Sequence, residues 1–351
     1  MHIPDGYLSP QTYVPAYAAM VPLWAVALRK IEKTLHASQT PMLALGAAFS
    51  FVIMMFNVPI PGGTTGHAVG SVLIAILLGP WAAMVAVSLA LILQALLFGD
   101  GGVTAIGANC LSMAVIMPFV GWGAYRLIVG SSPADSGRHR VGAVVGGYVG
   151  LNAAALSTAV MFGIQPLIAH DAAGRALYNP FGLSVAVPAM MAGHLLVFGF
   201  VEGAVTGLVI AYLQRTQPAL IPASIRPGMI PGRIDASASA RPIRKLAIGL
   251  AVLVVLSPLG LYLPAKFGAG SAWGEWSAGE MRTLAGHMPR QLQRIGSTWH
   301  APLHHYAPRG RASNGLGLMS VYYIISAVVG VAAITGVALL SRRLLKGKER
   351  Q

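Results

Sequence analysis

Residues 81–98 read WAAMVAVSLALILQALLF, eighteen positions without a formal charge. At about 1.5 Å rise per residue a helix of that length nearly crosses a hydrocarbon layer of about 30 Å. The same signal recurs on both sides. Candidate spans fall at 9–28, 41–58, 68–80, 81–98, 105–129, 142–163, 185–213, 246–264 and 318–341. The third is short, and it meets the fourth at Gly79-Pro80-Trp81, a tight-turn signal. The whole chain agrees: of 351 residues, 55% are hydrophobic and 10% charged. Soluble domains carry roughly 25% charged residues. The expected fold class is therefore an all-α polytopic membrane protein.

The net charge of +14 does not point to nucleic acid. The basic residues sit in short runs between apolar segments, as the positive-inside bias of membrane proteins requires. With residue 1 outside, 17 of the 24 Lys and Arg residues fall in inner loops, so the N-terminus is expected outside and the C-terminus in the cytoplasm. Residues 214–244, rich in Pro, Ser and Arg, read as a cytoplasmic linker. They divide a seven-span unit, 1–213, from a two-span unit, 245–351, whose outer segment is 265–317. The single cysteine, Cys110, excludes a disulfide framework and a multi-Cys zinc site.

Two stretches carry chemistry. The chain opens Met1-His2-Ile3-Pro4-Asp5-Gly6, without a basic n-region or an early apolar run, so no cleavable signal is expected. Because His2 is too bulky for methionine removal, a free amine on Met1 should stand beside an imidazole. The amine and the His2 amide nitrogen close a five-membered chelate ring, and the amide and His2 Nδ1 a six-membered one. Such a planar nitrogen set suits Ni(II) or Cu(II) and leaves one place open. The second stretch runs from Asn57 through Pro61-Gly62-Gly63-Thr64-Thr65-Gly66 to His67. Its prolines favour extended backbone, its glycines close approach, and His67 is expected to open a helix.

Together these motifs resemble the CbiM/NikM family, the substrate-binding S-components of cobalt and nickel energy-coupling-factor importers. The resemblance covers residues 1 to about 213. It implies a seven-helix bundle with the metal held by Met1, His2 and His67. It also implies, as partners, a transmembrane coupling subunit and ATPase subunits. Residues 246–341, with the Trp273-Gly274-Glu275-Trp276 run, resemble the small CbiN/NikN subunit, fused here. The implied setting is the bacterial inner membrane, and the transported ion is Ni(II) or Co(II).

Asn57 and Asn109 are candidates to hydrogen-bond His67 or the N-terminal segment, and the Gly99-to-Thr104 loop to pack around the site. His194 and Glu202, eight residues apart, share a helix face within the seventh span. His300 and His304, at helical spacing, with His305 and His287 nearby, could capture metal outside. No Walker A pattern is present, so energy must come from partner subunits or from an ion gradient. A gradient-coupled permease needs several charges near the midplane, and only Glu202 qualifies. A membrane zinc protease needs His-Glu-x-x-His, which is absent, so no catalytic residue is assigned.

Overall fold

The computed structural model describes residues 1–34, 39–60, 63–221, 236–268, 270–296, 298–308 and 315–348. Helices dominate: α1 (Pro10–Thr34), α2 (Thr40–Met54), α3 (Ser71–Leu78), α4 (Pro80–Phe98), α5 (Ile106–Val129), α6 (Gly137–Gly163) and α7 (Leu183–Thr216). The C-terminal unit adds α8 (Ala236–Leu256), α9 (Leu259–Lys266), α10 (Ala278–Ala285), α11 (Arg290–Gly296) and α12 (Leu316–Lys348). Among the described residues six helices are long and apolar enough to cross a membrane, and α8 with α9, bent by 40°, makes a seventh. The protein is a multi-pass membrane protein. Large side chains such as Leu127, Leu196 and Leu208 face outward, which a lipid solvent tolerates.

The bundle closes where side chains vanish. Gly142, Gly146 and Gly150 recur every fourth residue on α6, and a Cβ on Gly146 would stand 2.6 Å from the Gly121 carbonyl of α5. On the neighbouring face, a Cβ on Gly147 would lie 3.0 Å from the Glu202 carbonyl of α7. Small residues at this period let backbones approach in lipid, where helix association draws on packing rather than on the hydrophobic effect.

Two local expectations are revised. The third span is an eight-residue helix, α3, about 12 Å long and too short to cross alone. Ahead of it runs an antiparallel hairpin, β1 (Val58–Ile60) with β2 (Thr64–Gly66), pairing Val58 with Gly66 and Ile60 with Thr64. His67 does not open the helix: residues 67–70 are irregular, and Gly70, at φ +72°, stands at the N-cap position. The long spans α4, α5 and α7 each contain one π-helical turn, at Gln94–Phe98, Leu111–Ile116 and His194–Phe198. Most of the expected linker, residues 222–235, lies outside the described residues.

Candidate metal centre

The N-terminal segment is threaded into the bundle. Ile3 donates its amide to Asn109 Oδ1 at 2.9 Å, and its carbonyl accepts from Asn109 Nδ2 at 3.2 Å and from the Gly102 amide at 2.8 Å. The Asp5 carboxylate accepts from the amides of Val103 and Thr104 and from the Thr104 hydroxyl. These bonds satisfy backbone groups that would otherwise be buried unpaired, at a cost of about 1–3 kcal/mol each. Gly102 is required here: a Cβ would stand 2.3 Å from the Asp5 amide nitrogen. Gly102→Ala is expected to lift the segment and destabilise the protein by about 1–3 kcal/mol, the overpacking range, read as a lowered Tm.

Met1 is thereby delivered to the hairpin. Its amine donates to the Thr65 carbonyl and to Thr65 Oγ1, both at 2.7 Å. Burial pulls this amine down to about 5 from its ordinary 8.0, against the nearby Asp100 carboxylate. It is therefore neutral at pH 7 and carries a lone pair.

The two imidazoles meet beside it. The His2 and His67 ring centroids are 4.7 Å apart, tilted by 34°. His2 Nδ1 donates to Asp100 Oδ1 at 2.6 Å, and His67 Nδ1 donates to the Ala68 carbonyl at 3.1 Å. A neutral ring that donates through one nitrogen presents a lone pair on the other. Both Nε2 atoms are buried without a hydrogen-bond partner. Burial holds the His67 ring well below its ordinary range, so it stays unprotonated. The six-membered chelate ring expected through His2 Nδ1 is not formed in this arrangement, because that nitrogen faces Asp100. Turning the His2 side chain frees it.

Asp100 is the residue the sequence reading underrated. Burial raises its carboxyl, but the contacts with His2 and Tyr306 outweigh this and hold it well below the usual carboxylate range. Tyr306 Oη donates to Asp100 Oδ2 at 2.5 Å, and Gln94 Nε2 donates to Tyr306 Oη at 3.2 Å. Tyr306 arrives from the C-terminal unit. It and His305 are the only non-glycine residues at positive φ among the described residues, at +61° and +53°. Its ring stacks on Phe98, centroids 5.1 Å apart. The Trp-Gly-Glu-Trp run also reaches this surface: Trp273 donates its amide to the Gly63 carbonyl at 2.7 Å, and Gly274 to Tyr7 Oη at 2.9 Å. A cavity of about 630 Å³ lies between the units, lined by His2, Asp100, Trp276, His304 and Tyr306.

The remaining candidates separate. Asn109 holds the N-terminal segment rather than His67, and it lies in the first turn of α5 rather than in a loop. Asn57 lines the cavity, and its Oδ1 is buried without a partner. The helical pairing expected of His300 and His304 is not formed, because His304 begins a short 3-10 turn ending at Tyr306. His287 Nε2 donates to the Ala176 carbonyl at 3.0 Å. Among the described residues no three His, Cys, Asp or Glu side chains stand at metal-binding spacing. A site here must therefore draw on main-chain nitrogen.

Residues 2–220 match the family described as the cobalt uptake substrate-specific transmembrane region, CbiM. The chain belongs to the CbiM family. This CbiM-family chain is 47% identical to the fused nickel transport protein NikMN of Rhodobacter capsulatus, over 98% of its own length and 99% of that protein. It is 44% identical to the probable fused nickel transport protein LarMN of Lactiplantibacillus plantarum, over 94% of each chain. The similarity thus runs through the C-terminal unit, which is a fused NikN-like part. The crystal structure of a truncated transition metal transporter matches 61% of the CbiM-family chain and 99% of that chain, at 55% identity and TM-score 0.58.

Proposed function

We propose that this protein is the substrate-binding component of an importer for Ni(II) or Co(II), and that it captures the ion at the outer face. The observation that carries the reading is the meeting of a neutral buried amine with two buried imidazoles, of which His67 presents an Nε2 without a hydrogen-bond partner. The ion takes the Met1 amine, the His2 amide nitrogen, the His2 ring and His67 Nε2. Ionising the amide allows the fused chelate, with Nδ1 leaving Asp100 as the ring closes. Asp100, Asn109 and Asn57 surround this set, and an outer shell of this kind orients ligands and tunes a metal. A four-nitrogen plane favours Ni(II), while cobalt stands in the family's description.

Energy comes from separate ATPase and coupling subunits. The sequence has no phosphate-binding loop, and a glycine-rich turn such as 99–104 lacks a following basic residue. The functional division is a metal-binding unit at 1–213, a cytoplasmic linker at 214–244 and a NikN-like unit at 245–351. The family match ending at residue 220 supports the first boundary. An ion-gradient permease is the alternative, and uptake into vesicles decides. Accumulation is expected only with the partner ATPase and ATP. Full accumulation driven by a proton gradient alone would select the permease.

Acid tests the site itself. The amide proton must leave whenever the chelate forms, so the apparent Kd for Ni(II) should rise about tenfold per pH unit as pH falls. The amine adds a second proton only below its own pKa. For the buried amine, the slope is expected to steepen below about 5 rather than below 8.0. Equilibrium dialysis from about pH 9.5 to pH 4 reads the break point. A break near 8 would mean that the amine is exposed and the reading is wrong.

A further inference from the structure

Glu202 is a fully buried carboxylate on α7, and none of the metal donors touches it. Its Oε2 accepts from the Val69 amide at 2.8 Å and the Gly70 amide at 3.1 Å, and Oε1 accepts from Gly70 at 3.1 Å. These are the two amides that follow His67-Ala68. They lie at the entrance to α3, where a helix has no internal acceptors for its first N–H groups. His67 itself has one polar anchor, the neighbouring Ala68 carbonyl. The loop imidazole is thus tied to the rest of the bundle through Glu202.

The same span touches the hairpin twice more. Thr64 Oγ1 donates to Met190 Sδ at 3.1 Å, and the Phe198 ring lies where a Cβ on Gly66 would stand, at 2.1 Å. Between Met190 and Glu202 the helix makes its π turn at His194–Phe198. That turn adjusts the helical register so that thioether, ring and carboxylate all meet the strand-and-loop element; π turns are frequent at functional sites. At Glu202 the helix is itself fixed, with Gly147 of α6 packed on its carbonyl.

We propose that Glu202 is a positioning residue for His67: α7, through this carboxylate and the amides of Val69 and Gly70, sets where the loop imidazole points. A shift of α7 against the hairpin then moves His67 relative to His2, whose ring is held by Asp100 on another loop. The inference rests on His67 being a metal donor, as proposed above.

The test uses the full-length chain in detergent and two probes. Ni(II) requires all four nitrogens, whereas Cu(II) is held by the amine, amide and ring of residues 1 and 2 even in His67→Ala. In the wild-type background Glu202→Ala is expected to weaken Ni(II) roughly 100-fold and Glu202→Gln roughly tenfold, the span for lost outer-shell support. Glutamine keeps the shape and one acceptor, so it remains informative if the alanine variant does not fold. In the His67→Ala background neither change should alter Cu(II) affinity, because the residue through which Glu202 acts is gone. Unchanged Ni(II) affinity, or an equal Cu(II) loss without His67, would overturn the positioning role. If His67→Ala alone leaves Ni(II) affinity intact, the metal-site reading fails first and takes this inference with it.

Discussion

His67→Ala, purified beside the wild type, is expected to retain no nickel, while the wild type holds about one ion per chain. In the proposed site His67 is the one donor from outside the N-terminal segment, and its Nε2 is buried without a hydrogen-bond partner. Losing a direct ligand should exceed the roughly 10–100-fold cost of losing an outer-shell partner. The fold should survive, since the side chain's one hydrogen bond is to its own neighbour, Ala68. Metal analysis after gel filtration, with Tm as a check on folding, reads the result. Nickel retained at wild-type level in a folded variant would remove His67 from the site.

One extra residue ahead of Met1 should be as damaging. The Met1 amine makes two 2.7 Å bonds to Thr65, and Met1 is 1% exposed. Extension turns the amine into an amide nitrogen without a free lone pair and forces a further residue between the hairpin and the imidazoles. Nickel binding is expected to vanish while the helices persist by circular dichroism. Intact mass must show an unmodified Met1 in the wild type. Binding that survives the extension would mean that the donors are side chains alone.

Much of the fold was legible because the bilayer imposes a length rule, and the candidate site could be proposed because its residues form a rare local pattern. Apolar runs such as 81–98 have one physical solution, a spanning helix. The Pro-Gly-Gly-Thr-Thr-Gly-His stretch announced extended backbone with close approaches, and a hairpin followed. The run 68–80 misled for the same reason. Hydropathy measures burial rather than length of helix, and α3 is buried by protein on nearly every residue. Asp100 was hidden in an ordinary glycine-rich turn; its value comes from His2 and Tyr306, which lie 98 and 206 residues away. Nor could spacing foresee that residues 299–301 are irregular, which is why the helical pairing of His300 with His304 failed, or that His305 and Tyr306 take left-handed backbone.

The threading of the leading segment has a consequence for biogenesis. Thr65, Asp100 and Asn109, which grip residues 1–3, all emerge later in synthesis, and Trp273, Gly274 and Tyr306 close over them later still. The first amino acids made therefore cannot be seated until Asn109 has been synthesised, and maturation ends when the youngest part of the polypeptide closes over the oldest.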